Sequence, residues 1–305
     1  MIYKNSMKLL TSNFSLVWKQ LAYSLIRLTI ILGLTMLVSR PIVNLLTEQG
    51  FFQSITTTWQ SVYTNTETFF VALKDCIQQF FSIISQHIGN LRASIVLFFI
   101  VIVIINAFLK YVGKYALTYV AHNNFTSLTK CNYSHSIISN IKNILKYSAC
   151  RFLLDLPFTA LKMLFIYIYC VMAQDFVMAI VGITLMIVLF TITYALQISV
   201  YNGLAAEQIS HNKHPFKSVL KTYSSSKELL KIFSNAIIVV VTIIVVNVII
   251  GIFTVGAGLF ITIPASMVLV VIFELISYYT QTKQRYYLSA TVIVDVVDAS
   301  KVEKF

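Results

Sequence analysis

Residues 236–279 read AIIVVVTIIVVNVIIGIFTVGAGLFITIPASMVLVVIFELISYY. Two apolar runs, 236–255 and 259–279, are separated only by Gly256, Ala257 and Gly258. Each is close to the roughly 20 residues an α-helix needs to cross about 30 Å of hydrocarbon. Within a bilayer there is no water to satisfy backbone polar groups, so a run of this kind spans as a helix. The stretch therefore reads as a membrane-spanning helical hairpin whose second arm carries Glu274.

The rest of the chain agrees. Of its 305 residues, 58% are hydrophobic and only 11% are charged, and the mean hydropathy is +0.80. Soluble domains carry roughly 25% charged residues. Working outward from the hairpin gives six spans, at about 21–38, 93–109, 156–173, 176–200, 236–255 and 259–279. The fold expected is an all-α polytopic membrane helix bundle: a six-helix transmembrane domain over residues 1–282 and a short cytoplasmic tail over 283–305. Residues 1–20 space Lys4, Lys8 and Lys19 around Leu9, Leu10, Phe14 and Trp18, as a short amphipathic helix on the membrane surface would. Pro41 favours a helix end or a kink after the first span. Residues 42–90 are an extracellular amphipathic region of two helices, one marked by Ile55, Trp59 and Tyr63 and the other by Phe69, Phe70, Leu73, Ile77, Phe80, Phe81, Ile84 and Ile88.

The net charge of +12 invites a nucleic-acid partner, but its distribution speaks for membrane orientation. Residues 1–27, 110–162, 202–235 and 283–305 hold twenty of the 23 Lys and Arg residues; Arg40, Lys74 and Arg92 are the remainder. By the positive-inside rule both termini are cytoplasmic in a multi-pass protein of the cell membrane. Surface helices are expected at 135–147 and 218–231, the loop between spans three and four turns tightly at Gln174 and Asp175, and 291–297 is at best a short strand.

Ionisable groups inside spans need a reason to be there, since each costs about 2.5–3.5 kcal/mol at mid-membrane on insertion scales. At about 1.5 Å of rise per residue, Arg27, Lys162, Thr242 and Glu274 all lie about 8–9 Å from the cytoplasmic edge. They define a candidate buried polar layer, in which Glu274 pairs with Arg27 or Lys162 and which could hold an ion, a proton or a lipid head group. The plainer alternative has Arg27 and Lys162 snorkelling to the interface and Glu274 protonated or satisfied by Tyr278. Asn247 reads as interhelical glue, and Asp155 as half of a local interfacial pair with Arg151 one turn away.

Catalytic and metal signatures are missing. The chain has no G-x-x-x-x-G-K-[ST], H-E-x-x-H or G-x-S-x-G motif. His211 and His214 form half a metal site without further ligands, and Cys76, Cys131, Cys150 and Cys170 fit no zinc or disulfide framework. No cofactor, metal or enzymatic activity is expected.

At the hairpin a family resemblance is carried by Gly251, Ile252, Phe253, Thr254 and Gly258, then Ile263, Pro264, Ala265 and Ser266, then Tyr278 and Tyr279, then Arg285, Tyr286 and Tyr287. The pattern resembles uncharacterised six-helix integral membrane proteins of low-GC Gram-positive bacteria. More distantly it is similar to the membrane-domain family found fused to glycerophosphodiester phosphodiesterases. It covers mainly residues 236–294, with a weaker echo at 13–42, and implies a six-helix membrane fold with no established activity. Members commonly follow Arg-Tyr-Tyr with an acidic, Val-rich ending; Leu288, Ser289 and Ala290 depart from it.

The first functional reading is a non-enzymatic scaffold or accessory subunit in envelope or lipid processes, with the lipid bilayer and a protein or lipid head group as partners. The alternative is a small-solute or lipid transporter. A lipid-active enzyme comes third.

Overall fold

The computed structural model describes residues 2–64, 66–172, 176–201, 203–209, 226–289, 292–294 and 302–304. The helices are α1 (Ile2–Ser12), α2 (Ser15–Glu48), α3 (Phe51–Thr64), α4 (Thr66–Gln86), α5 (Ile88–Phe99), a π-helical segment (Ile100–Ile105), α6 (Asn106–Ser127), α7 (Tyr133–Ser139), α8 (Ile141–Met172), α9 (Phe176–Val200), α10 (Leu204–Ile209), α11 (Ser226–Phe253) and α12 (Leu259–Thr282). Strands β1 (Tyr286–Ser289), β2 (Val292–Val294) and β3 (Val302–Lys304) form an antiparallel sheet in that order. Among the described residues six helical stretches are long and apolar enough to cross a membrane: Ser15–Glu48, Ile88–Ser127, Ile141–Met172, Val177–Ile209, Leu229–Phe253 and Leu259–Thr282. Their surfaces are apolar: Met36, Leu37, Met163, Val177, Ile252 and Phe253 are all exposed. So much exposed apolar area is what lipid, and not water, accommodates. The chain is an all-α polytopic membrane protein.

It divides into two compact units, whose boundaries fall inside helices. The first comprises Met1–Arg27, Phe108–Asp155 and Thr191–Phe305. Its core is α12. In the apolar window of that helix 56% of residues are buried, against 6–17% in the other five. Val268 to Phe273, Leu275, Ile276, Tyr278 and Tyr279 pack with Ile2 and Leu9 of α1, Leu117, Val120 and Phe125 of α6, Ala195 and Ile198 of α9, and Ala236, Val239 and Val240 of α11. A helix buried on every side and apolar apart from Glu274 and Ser277, as this half of α12 is, belongs inside a bundle.

Three expectations change in this unit. The buried face of the N-terminal helix (Ile2, Asn5, Ser6, Leu9) meets α12 and not lipid. Its Tyr3 hydroxyl lies 3.1 Å from Thr242 Oγ1 on α11. The surface helix at 135–147 is instead α7 followed by the start of α8. The tail is more ordered than one short strand: Tyr286 stacks on Tyr279 with ring centroids 5.6 Å apart, and Asn5 Nδ2 donates to its hydroxyl at 2.7 Å. Burial raises the Tyr286 phenol pKa, and the Asn5 hydrogen bond offsets part of that.

The hairpin of α11 and α12 is tied by the glue expected of Asn247. Its Nδ2 donates to Ser266 Oγ at 2.9 Å and its Oδ1 accepts from Thr262 Oγ1 at 2.7 Å. The turn ends α11 with a paired closure, Val255 N to Ile252 O (3.4 Å) and Gly256 N to Gly251 O (2.8 Å), the arrangement that satisfies terminal carbonyls. Val255 and Gly256 both take positive φ, at 50° and 85°.

The second unit comprises Leu28–Ala107 and Leu156–Phe190. Here α2 runs through Pro41 to Glu48 and does not end there. Proline removes one N–H donor, but Ile42 and Leu46 are buried with Phe51, Ile83 and Leu91, and this packing carries the helix onward. The two amphipathic helices are present as α3 and α4, packed along each other. Phe52, Ile55, Trp59 and Phe81 remain exposed on them. The side chains of residues 61–70, the turn at Gln174 and Asp175, His211, His214 and most of 218–231 lie outside the described residues.

Candidate functional site

Helical periodicity brings charge to one place in the first unit. On α6, Lys110, Lys114 and Leu117 share a face by i, i+4, i+7 spacing, and on α8 Arg151 and Asp155 are one turn apart. Gln20 and Arg27 on α2, Tyr194, Gln197 and Ile198 on α9, and Met267, Val270, Val271 and Glu274 on α12 repeat the pattern. With Tyr111, these residues line a cavity of about 180 Å³.

Each of its carboxylates is engaged by a protein donor. Asp155 Oδ2 accepts from the Tyr111 hydroxyl at 2.5 Å, and Oδ1 accepts from Gln197 Nε2 at 2.8 Å. Arg151 Nε lies 3.3 Å from the same Oδ1. Glu274 Oε1 is 2.5 Å from Lys114 Nζ. Asp155 and Glu274 are 7% and 4% exposed, so both would be costly without these partners.

Arg151 is the least satisfied member. Its guanidinium carbon sits 4.0 Å over the Tyr201 ring, a cation–π placement, and Tyr201 is itself fixed by its hydroxyl donating to Leu154 O at 2.6 Å. Arg151 is only 5% exposed, yet its Nη1 is buried without a hydrogen-bond partner among the described residues.

One wall is locked by tyrosines. The Tyr133 hydroxyl on α7 lies 3.1 Å from Gln20 Oε1 and 2.7 Å from Gly113 O. Burial, with Tyr23 nearby, holds that phenol well above its ordinary pKa, so it stays a donor. Tyr23 donates to Leu109 O at 2.5 Å and covers Gly113, where a Cβ would run into its ring.

Of the four residues expected in a polar layer, the structure brings Arg27 and Glu274 to this one cavity. Thr242 meets Tyr3 instead, and Lys162 belongs to the second unit. The partner of Glu274 is Lys114, not Arg27, Lys162 or Tyr278; the Tyr278 hydroxyl donates to Glu207 Oε1 at 3.3 Å. Lys114 and Lys110 escape a hydropathy reading because they follow the apolar run on a helix that continues past it. A usable signal was there, two lysines at i, i+4 on the side of Leu117 and opposite an acidic residue in another span. Among the described residues no three His, Cys, Asp or Glu side chains are grouped to hold a metal.

The fold and the cavity together define a multi-pass membrane protein with a charged, partly open site among its helices. Comparison with protein-family models, curated proteins and solved structures gives no match.

Proposed function

We propose that this is a non-enzymatic protein of the cytoplasmic membrane, with both termini cytoplasmic, that takes a small polar ligand or lipid head group into the cavity of its first unit. That is how a small-solute or lipid transporter uses such a site. The observation that carries the reading is the cavity itself: six charged side chains around about 180 Å³ of space, in helices that otherwise present apolar surfaces. Intramembrane ionisable residues mark ligand and ion pathways more often than packing. The orientation rests on the basic-residue asymmetry. The resemblance to six-helix membrane proteins of low-GC Gram-positive bacteria fits this setting.

A second reading, the scaffold or accessory subunit, is favoured by one feature. Phe52, Ile55, Trp59 and Phe81 leave an apolar surface on α3 and α4 that a protein partner could cover.

The discriminating experiment is mild purification followed by mass spectrometry of everything retained. A small molecule or lipid held in stoichiometric amount supports the cavity reading. A stoichiometric protein partner with no such molecule overturns it in favour of the scaffold. A reporter fused after Phe305 that is active only outside the cell overturns the orientation.

A further inference from the structure

We propose that the ligand of this cavity is an oxyanion of the phosphate type, an inference that rests on the ligand-binding reading above. Four cationic side chains, Arg27, Lys110, Lys114 and Arg151, face two carboxylates, Asp155 and Glu274, so the lining carries two positive charges in excess. Both carboxylates are engaged by protein donors. An entering cation finds no free carboxylate and meets a net positive wall.

An anion meets the opposite situation. Arg151 presents a buried Nη1 with no partner among the described residues, and an unmade hydrogen bond at a buried donor is costly. A bound oxyanion supplies the missing acceptor. No carboxylate pairs with Arg27 among the described residues, and it adds a second planar guanidinium, the group whose geometry matches phosphate oxygens in pairs. Lys110 adds a point charge. Leu117, Ile198, Met267, Val270 and Val271 form the apolar part of the lining, and a low-dielectric surround strengthens charge interactions inside it.

Size agrees. About 180 Å³ is far above the roughly 10–15 Å³ of accessible space that one water needs, and leaves room for a tetrahedral oxyanion with part of its hydration. The same chemistry has two sources, free phosphate and the phosphodiester of a lipid head group.

The test uses the full-length protein in a neutral maltoside detergent. Thermal stability is measured against inorganic phosphate, with chloride at matched ionic strength, and against phosphatidylglycerol, with dioleoylglycerol as the uncharged control. Native mass spectrometry reads stoichiometry. The expected result is one phosphate or one phosphatidylglycerol per chain, with a shift absent in the matched control. A phosphate response identifies a free-anion site, and a response to phosphatidylglycerol alone identifies a head-group site.

Arg27→Gln should weaken either response at least tenfold. Arg151→Gln should abolish it, and because Arg151 also holds Asp155, Arg27→Gln serves where Arg151→Gln fails to fold. Equal anion binding in folded Arg27→Gln overturns the site. Neutral or cationic molecules retained in the cavity, with no phosphate or phosphatidylglycerol response, overturn the oxyanion but leave the ligand-binding reading standing. Absence of any retained molecule and of any response overturns both.

Discussion

Lys114 Nζ and Glu274 Oε1 stand 2.5 Å apart although 160 residues separate them in sequence, with side chains 14% and 5% exposed. The pair joins α6 to α12, the most buried of the six candidate spans among the described residues. Forming it costs desolvation of both charges, so its net contribution over an apolar pair is small, whereas breaking it leaves one buried charge alone.

Glu274→Gln and Lys114→Met should therefore each destabilise the protein by about 3 kcal/mol, the usual scale for removing one partner of a buried pair. The double variant Lys114→Met with Glu274→Leu should recover most of that loss. The measurement is the thermal midpoint of the detergent-solubilised protein by fluorescence-detected gel filtration. Additive losses in the double variant would show that the two residues act separately.

How far the sequence revealed this site follows from where each signal lives. The six spans are local hydropathy and were readable directly. So were Asn247 as glue and the pairing of Arg151 with Asp155, because a polar residue within an apolar helix must find a partner and i, i+4 neighbours are within reach. Equal depth brought Arg27 and Glu274 into the same candidate layer, but depth says nothing about which helices are neighbours. Thr242 and Glu274 lie on consecutive spans, yet Thr242 turns to Tyr3. The N-terminal helix shows the same limit: periodicity establishes that one face is buried and leaves open whether it meets lipid or α12. Of the two outcomes Pro41 allowed, a helix end or a kink, the end does not occur, because the packing of Ile42 and Leu46 outweighs one lost hydrogen bond.

Gly113 is required by Tyr23. A Cβ at this position would collide with two ring carbons of Tyr23 and press on a third, and the ring cannot swing away cheaply while its hydroxyl holds Leu109 O and its centroid lies 5.6 Å from that of Tyr133. Gly113→Ala should cost about 1–3 kcal/mol, as overpacking does. In the Gly113→Ala, Tyr23→Ala double variant the collision is gone, so adding Gly113→Ala to Tyr23→Ala should have little further effect. A comparable loss in both backgrounds would place the cost elsewhere than the ring.

The knot between the hairpin arms predicts a smaller effect. Asn247→Leu removes the acceptor of Thr262 Oγ1 and the donor to Ser266 Oγ, while Ser266 keeps its bond to Thr262 O. Polar contacts between membrane helices are worth about 0.6–2 kcal/mol, so a loss of about 1 kcal/mol is expected in SDS titration. Ser266→Ala should cost less, since Thr262 still reaches Asn247.

Val255 offers a stabilising change. It holds φ of 50° at the end of α11, a left-handed conformation that brings Cβ against the following carbonyl and costs roughly 1–2 kcal/mol in an L-residue. Glycine escapes the penalty and is the usual occupant of this closure. The Val255 side chain is 95% exposed, so its removal sacrifices no packing within the chain. Glycine also has more freedom to lose on folding, which offsets part of the gain. Val255→Gly should therefore raise stability by about 1 kcal/mol net. Val255→Ala, which keeps a Cβ, should change it little. If alanine stabilises as much as glycine, the benefit comes from removing the branched side chain and not from relieving the backbone.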